Sequence, residues 1–486
     1  MIARHRARSR SCAWVALGSL GLPALCAGQA PPSPEHPWEI PQSAIQRATA
    51  LASQEKSTPT GRPYDLAQLI DLAERTNPET RAAWEEARAA AAAIGLAEAA
   101  YLPQLSFQAI GGFQHTPLPV PRDLVPKGYF VSDSREVIPT IALKWLLFDF
   151  GRRDAALEAA KADSFVANVA FTGAHQSLIF AVSQAYFDLS AARGRLRAAR
   201  QALSTSQTTE EAAVAKRNSG LATIVSVAQA QRQTAQMRYA LAAAEAAERT
   251  ARANLVASLG IAAATDLEVN DASELPLPQS PEQTVADAVH QALGQRPDII
   301  AALGKVDAAA ANLKSEQRSY YPSVELSGSG FQNFGSLSSD GSPYSTIDRP
   351  GGTLLFSFSV PLFDGGTRRN RVSMARSKLH AAEEQLAKTQ DTAAQQVVKA
   401  YDALVSELAE YNAATAYREA AHTAYDAALR SYRQGVGTYT DLSTEENAVV
   451  QAETQVEDAR ANAHTAAASL AFAMGAATAP LPAEAP

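Results

Sequence analysis

The sequence predicts a mixed α and β fold, in which a long alanine-rich α-helical barrel or coiled coil is continuous with a transmembrane β-barrel. Three observations predict it. The chain contains an internal duplication, each copy has two stretches of alternating apolar residues, and each copy has a long stretch without proline. Each chain would thus contribute four strands, and we expect three protomers to share one barrel.

The composition is that of a folded, helix-rich chain. Hydrophobic residues make up 46% of the 486 residues and charged residues 19%, as in ordinary folded proteins. Much of the apolar share is alanine, which favours helices. The formal net charge is -7, and no basic cluster lies outside the N-terminal leader. We therefore expect no nucleic-acid binding.

The first residues have the pattern of an export signal. Arginines from Arg4 to Arg10 precede a short apolar stretch, Cys12 to Leu25, that ends in small residues. We predict a signal peptide over residues 1–28, with cleavage after Gly28. A lipid-anchored Cys26 is the alternative, although Leu25 is bulky where lipidation needs a small residue. The mature chain would be extracytoplasmic.

Beyond the leader, the sequence limits the possible cross-links and membrane spans. Both cysteines, Cys12 and Cys26, lie in or at the end of the leader, so no intrachain disulfide or cysteine metal site is expected. Residues 29–62 form an N-terminal segment that contains several prolines. No uninterrupted run of 18 apolar residues follows. We therefore expect strands to make any membrane crossing.

The duplication organises the rest of the chain. Pro78 and Pro103 are separated by the same 25 residues as Pro297 and Pro322. The first repeat is predicted over residues 63–260 and the second over 284–475, joined by a polar segment, 261–283, and followed by a flexible tail, 476–486. The other repeated residues are Asp149, Gly151, Tyr186, Gly220 and Gly260, which recur as Asp364, Gly366, Tyr401, Gly435 and Gly475.

Each repeat begins with a helix and then changes to strands. Asn77 before Pro78, and Arg296 before Pro297, are typical of helix starts. After Pro103 and Pro322 the apolar period changes from 3.6 to 2. Strands are predicted at about 104–113, 137–148, 323–332 and 352–360, with loops at 115–134 and 336–341. Strands of about ten residues match tilted membrane-spanning strands.

Long helices follow the second strand of each repeat. Proline is absent from residues 140–275 and from 362–479. A continuous helix from Gly151 to Arg217 would be roughly 100 Å long at 1.5 Å per residue. Gly220 and Gly435 then mark turns, after which a second helix returns to Gly260 or Gly475.

Four strands cannot close a barrel, and open strand edges in lipid leave backbone groups without hydrogen bonds. The chain must therefore oligomerise. Two chains would give eight strands, whose interior side chains fill, whereas three would give twelve and leave room for a channel.

At this point the chain resembles the TolC-type outer membrane factors over about residues 63–475. The resemblance depends on the paired motifs YLPQL and YYPSV, LFDFG and LFDGG, and SGLAT and QGVGT, in the same order in both repeats. It implies a homotrimer in outer-membrane lipid, with a twelve-strand barrel, a twelve-helix periplasmic tunnel and an equatorial belt made by the termini and the inter-repeat segment. It also implies a passive outlet for efflux or type I secretion, docked to a periplasmic adaptor and an inner-membrane pump.

The resemblance also implies a gate at the periplasmic end of the tunnel. In the family, acidic residues after the second-repeat turn form a constricting ring, and a nearby tyrosine helps to hold it shut. Asp441 and Tyr432 match these positions, and Glu445 stands beside a second acidic position that is Thr444 here. The family's basic partner falls on Gly437, and its first-repeat acid on Ser226. Alternatively, Asp441 belongs to the first turn of a helix capped at Thr438 or Thr440; both roles can hold.

Other positions keep two interpretations. The turn residues Gly220, Leu221, Gly435 and Val436 either contact the adaptor, as the family implies, or are turns only. Trp145 and Phe356 face either the lumen or lipid. Arg153 and Arg368 either line the pore or anchor the chain at the membrane interface.

The sequence contains no catalytic constellation that we recognise. It has no HExxH, Walker A or GxSxG motif, and no metal-ligand spacing of cysteines. The GSG at 328–330 has Asn333 where a dinucleotide fingerprint needs glycine. We therefore expect no catalytic residues, metal or cofactor, and no enzymatic activity.

Two other functions share part of this pattern. A periplasmic adaptor or coiled-coil scaffold would share the helices but lack the four strands, and an ungated diffusion porin would have many strands and little helix. Neither matches the pattern. The pump would choose the cargo, so drugs, metal ions and secreted polypeptides all remain open.

Overall fold

The computed structural model describes residues 42–52, 63–263, 265–272, 275–281 and 283–477. It divides into two units, Met1–Lys56 and Ser57–Pro486. The described part of the first unit is helix α1 (Gln42–Ala52). The predicted signal peptide, the cleavage after Gly28, the lipidation of Cys26 and nearly all of the tail lie outside the described residues.

The second unit contains the same series of elements twice, which confirms the duplication. Each copy has two helices, two strands, a very long helix and a returning helix, with the long helix 67 residues in the first copy and 68 in the second. The first copy comprises α2 (Leu66–Thr76), α3 (Pro78–Ala99), β1 (Gln104–Pro119), β2 (Tyr129–Phe148), α4 (Arg152–Asn218) and α5 (Ile224–Ser258). The second comprises α6 (Val285–Gln295), α7 (Pro297–Arg318), β3 (Ser323–Ser339), β4 (Ser345–Ser359), α8 (Thr367–Gln434) and α9 (Tyr439–Ala473).

The predicted helix starts are confirmed. The Asn77 side chain accepts a hydrogen bond from the Glu79 amide, and Pro78 occupies the first helical position of α3. Arg296 precedes Pro297 in the same way, but its side chain makes no cap. Its guanidinium instead pairs with Asp298 at 2.7 Å. Both copies therefore turn from one helix into the next at the same place, by different side-chain chemistry.

The four strands form one antiparallel sheet in the order β1-β2-β3-β4. Within the described residues, β1 and β4 are its edges. The strands are longer than predicted, and the predicted loop from His115 to Ser134 is wrong, because pairing between β1 and β2 continues to Pro119 and Tyr129. Pro117 lies inside this ladder. An edge strand tolerates proline because the missing N–H would face away from its one neighbour.

Arg153 and Arg368 lie where a strand passes into a long helix. The Arg153 guanidinium donates to the carbonyls of Ala100, Leu146 and Leu147. Arg368 donates to the Asp364 carboxylate and the Pro361 carbonyl. Both side chains are about one-tenth exposed. They hold the strand–helix junctions, so these contacts do not support a pore-lining role.

The largest hydrophobic core lies midway along the helices. Here α2 packs against α4 and the end of α5, with Leu69, Leu189 and Leu259 fully buried. The inter-repeat segment joins this core through Leu267, and Val269 pairs with Tyr64. Elsewhere along the long helices the buried residues are mostly alanines. Their small side chains allow neighbouring helices to approach closely.

One described helix, α4, has a stretch that is long and apolar enough to cross a membrane by length and composition, and 17% of that stretch is buried. This criterion is looser than an uninterrupted run of 18 apolar residues, which the sequence lacks beyond the leader, so it does not contradict the prediction that strands make any membrane crossing. At 67 residues, α4 is far longer than the ~20 residues that a membrane span needs. The apolar surface that α4 exposes in one chain therefore has to be buried against other protein, not only against lipid.

Candidate functional site at the hairpin tips

Helices α4 and α5 form one hairpin, and α8 and α9 form the other. Their turns contain Gly220, with φ 71°, and Gly435, with φ 80°. These values lie in the left-handed region, which glycine enters without steric cost. In both turns the next amide closes the helix end: Leu221 donates to Lys216 at 2.8 Å, and Val436 donates to Ser431 at 3.1 Å. The predicted turns are confirmed as geometry.

Asp441 forms a capping box with Thr438. The Asp441 carboxylate accepts hydrogen bonds from the Thr438 hydroxyl at 2.7 Å and from its amide at 3.2 Å, while the Asp441 amide donates to the Thr438 hydroxyl at 3.1 Å. These bonds hold the pKa of Asp441 below its usual value. The helix-cap role is confirmed with Thr438 as the cap, and the side chain stays exposed and ionised.

Tyr432 lies inside the tip instead of beside Asp441. It is buried with Tyr439, Leu442, Ala213 and Ala230, and its ring meets Tyr439 edge-on, with the centroids 6.2 Å apart. Its hydroxyl is buried and has no hydrogen-bond partner among the described residues. The structure therefore brings Tyr432 together with Tyr439, not with the acidic residue that sequence reasoning paired with it.

Lys216 connects the two hairpins at this cluster, and sequence reasoning missed it. Its ammonium nitrogen lies 3.8 Å from the centroid of the Tyr432 ring and donates a hydrogen bond to the Tyr432 carbonyl. A cation over an aromatic face is attracted to the ring quadrupole. The end of α8, the helix that leads into the second turn, is thus held by a residue of the first hairpin.

The tips expose apolar side chains as well as glycines. Leu221 and Val436, at matching positions of the two turns, are each 79% exposed. At the start of α5, Ile224 and Val225 are also mainly exposed. Isolated exposed apolar residues are ordinary, but four at the end of two hairpins make a surface that a partner can cover.

The neighbouring glutamates of α9 differ sharply in environment. Glu445 is half-buried, whereas Glu446 is 2% exposed. Neither carboxylate oxygen of Glu446 has a hydrogen-bond partner among the described residues. Burial raises the pKa of Glu446 to about 7. The spacing of Tyr439, Leu442 and Glu446 places all three on one helix face, but in an alanine-rich helix this spacing alone does not show which face is packed.

A cavity of about 420 Å³ lies beside Glu446, between α4, α8 and α9. His422 and Glu453 form a hydrogen bond of 2.7 Å in its wall, and Arg197 lies 3.5 Å from Glu457. In the described part of the chain, no group of three or more histidine, cysteine, aspartate or glutamate side chains could hold a metal ion.

The chain combines a four-stranded antiparallel sheet at one end of the long helices with closed helical turns at the other, and this combination defines its structural class. The family model described as outer membrane efflux protein matches residues 69–261 and 288–476. Each matched range covers one repeat. The chain therefore belongs to the outer membrane efflux protein family, and it is an outer-membrane channel subunit for efflux or secretion.

Individual proteins agree with this assignment. The chain is 29% identical to Protein CyaE of Bordetella pertussis, over 79% of this chain and 78% of that protein. It is 25% identical to outer membrane protein OprJ of Pseudomonas aeruginosa, over 77% and 76% of the two chains. The crystal structure of the Campylobacter jejuni CmeC outer membrane channel has the same fold, with a TM-score of 0.70, 20% identity, and coverage of 87% of this chain and 90% of that one.

Proposed function

We propose that three copies of this chain close into one outer-membrane channel, which passively conducts substrates delivered by an inner-membrane pump through a periplasmic adaptor. The supporting observation is the pair of open sheet edges, β1 and β4, in a sheet of only four strands. Unpaired backbone groups in lipid cost several kcal/mol each, so the edges of one copy need those of another. Three copies give twelve strands and leave a bore.

The internal duplication supplies a template for how two copies join. In the chain, Gln104 pairs with Lys144, and Ser323 pairs with Ser359. Matching Pro103 with Pro322 and Asp149 with Asp364 converts the first of these pairs into the second. The two copies of the unit therefore have the same strand register.

The contact between β2 and β3 can be transferred in the same way to β4 and the β1 of the next copy. Within the chain, Lys144 pairs with Ser327. The corresponding positions are Ser359 in β4 and Gln108 in β1. We therefore expect Ser359 of one copy to lie opposite Gln108 of the next.

Cysteine cross-linking tests this register. Directly opposed residues of antiparallel strands have Cα atoms about 4.5–5.5 Å apart, within the range that a disulfide needs. The double variant Ser359→Cys with Gln108→Cys should form a covalent trimer under oxidation. The matched control, Ser359→Cys with Ile110→Cys, keeps the same face of the strand but is shifted by two residues, and it should cross-link much less.

The proposal would be wrong if the purified protein in detergent were a stable folded monomer by light scattering. A stronger cross-link in the shifted pair would retain the shared sheet but reject the register. Within the proposal, the exposed apolar turn residues Leu221 and Val436, with Gly220 and Gly435, contact the adaptor. The channel provides passage and catalyses no reaction, as its family and fold are those of channel proteins.

A further inference from the structure

Helix α9 carries an ionisable residue in a core position. Tyr439, Leu442 and Glu446 follow one another at spacings of three and four residues, which places them on one face. Tyr439 is 6% exposed, Leu442 0% and Glu446 2%. The face packs into the interior near the tip, so the glutamate lies where the pattern calls for an apolar side chain.

Two buried polar side chains near Glu446 have hydrogen-bond partners, unlike its carboxylate. Thr234 donates to the carbonyl of Ser206 at 3.3 Å, and Gln233 donates to Asn447 at 2.7 Å. Both oxygens of Glu446 lack such partners among the described residues. A buried carboxylate without a partner is strongly disfavoured in its charged form, so the packed helix prefers the neutral acid.

The groups around Glu446 do not compensate its charge. Tyr425 of α8 and Tyr439 of α9 are close enough for the glutamate to raise their pKa values further, in addition to the effect of burial. Both phenols are therefore neutral near neutral pH. From α4, Thr205 and Arg197 reach the adjoining cavity, and Arg197 is paired with Asp271 and Glu457.

The rest of the cavity wall offers a route for water. His422 and Glu453 are hydrogen-bonded to each other there. The cavity of about 420 Å³ is large enough for several water molecules, since each needs about 30 Å³. Glu446 itself lines this space, so water that enters when α9 separates slightly from α4 and α8 would reach its carboxylate.

We propose that Glu446 makes the packing of the second hairpin tip depend on its protonation: the neutral acid allows α9 to pack against α4 and α8, and ionisation admits water and loosens the tip. In the proposed function this tip is part of the periplasmic mouth, so its loosening would open the channel. That step rests on the proposed function. The packing of the helix itself does not depend on it.

The sign of the pH dependence follows from linkage. The packed state raises the pKa of Glu446 to about 7 from its ordinary value of 4.5. Stability from the neutral acid is thus fully present below pH 4.5 and is lost as the pH rises through 7. Between pH 6 and pH 8, the ratio of loosened to packed tips should rise about tenfold.

Hydrogen exchange of the purified full-length protein tests this. The amides of residues 439–450 would be followed at pH 6 and pH 8, after correction for the intrinsic change of exchange rate with pH. The parent should open about tenfold more at pH 8. Glu446→Gln should remove this pH dependence, because the amide is neutral throughout. The control Glu419→Gln removes one negative charge from an exposed position of α8 and should behave as the parent does.

Two results would overturn the inference: a parent whose corrected exchange is the same at both pH values, or a Glu446→Gln variant that keeps the pH dependence. If Glu446→Gln fails to assemble, Glu446→Met replaces it, with the same expected loss of pH dependence. Single-channel recordings separate the two proposals. A channel absent from every preparation contradicts the proposed function, while the exchange data still decide the role of Glu446.

Discussion

The two hairpin tips have the same turn chemistry but different interiors. Each begins its returning helix at a capping threonine, Thr223 or Thr438, and each exposes one apolar turn residue to the same extent. At the next position of the returning helix, however, Ile224 is 60% exposed, whereas its counterpart Tyr439 is 6% exposed. The returning helix therefore begins with an exposed side chain in the first tip and with a buried one in the second.

This difference comes from a few replacements between the repeats. Tyr432 stands where the first repeat has Arg217, Tyr439 where it has Ile224, and Asp441 where it has Ser226. The two tyrosines fill the interior, and the aspartate adds the second half of a capping box. Duplication thus preserved the backbone of the turn, while the side chains gave the second copy an internal cluster. Such a cluster is a suitable element for regulating opening, because opening the tip would cost the free energy of its buried contacts.

Truncating the core of the second tip should have the largest effect. Leu442→Ala removes a fully buried side chain, and comparable replacements cost about 2–5 kcal/mol. The matched control is Leu221→Ala in the exposed first turn, which should change stability by about 0.5 kcal/mol or less. Hydrogen exchange of the turn that carries each variant, α8–α9 for Leu442→Ala and α4–α5 for Leu221→Ala, measures both effects in the assembled protein. Equal effects of the two variants would mean that burial of Leu442 does not stabilise the second tip.

Removing the cation that joins the hairpins should have an intermediate effect. Lys216→Met keeps most of the side-chain length but removes the ammonium above the Tyr432 ring, a loss of about 1–2 kcal/mol. Arg217→Met removes the same charge from the next, exposed position and serves as the control. Protection of the α8 C-terminus from exchange should fall in the first variant only. A fall in both would indicate that overall charge matters, not the contact.

Tyr432→Phe tests the other partner of this contact, because it removes the hydroxyl and keeps the ring below Lys216. The hydroxyl has no partner among the described residues, and removing such a group is close to neutral within one chain. An increase in leak in this variant would therefore require a partner for the hydroxyl on another copy.

Local chemistry made part of this site predictable. The conformations of Gly435 and Thr438 depend on their own residue types and immediate neighbours. A single sequence is therefore enough to predict the turn and the helix cap. The strand ends were less predictable, because Pro117 is tolerated where its missing N–H does not face β2, and the direction in which this position faces is not visible in the local sequence. The length of the turn between β1 and β2 was not predictable from the local sequence either.

Contacts between distant residues were not predictable from the pattern. Lys216 and Tyr432 are far apart in the chain, and neither belongs to a motif that links them. In an alanine-rich helix almost any face can be buried, so the periodicity around Glu446 does not by itself identify the packed side. A charged residue on such a helix is expected at the surface. Only the packing of α9 against two other helices shows that Glu446 is inside.

The smallest effect is expected from the acidic cap residue, where a single substitution removes the capping-box carboxylate from the second tip or adds one to the first. Asp441→Asn should slightly destabilise the start of α9 through the weakened capping box, and Ser226→Asp should slightly stabilise the start of α5. If three copies of Asp441 also surround a narrow mouth, Asp441→Asn removes three negative charges and weakens cation selectivity and divalent-ion block. Because the Thr438 bonds hold the pKa of Asp441 low, that selectivity should not change between pH 6 and pH 8, unlike the opening controlled by Glu446.

Single-channel recording of the parent and both variants distinguishes the roles. Unchanged conductance, selectivity and block in an intact Asp441→Asn trimer would leave Asp441 as a helix cap only, and would place the constriction elsewhere in the assembly.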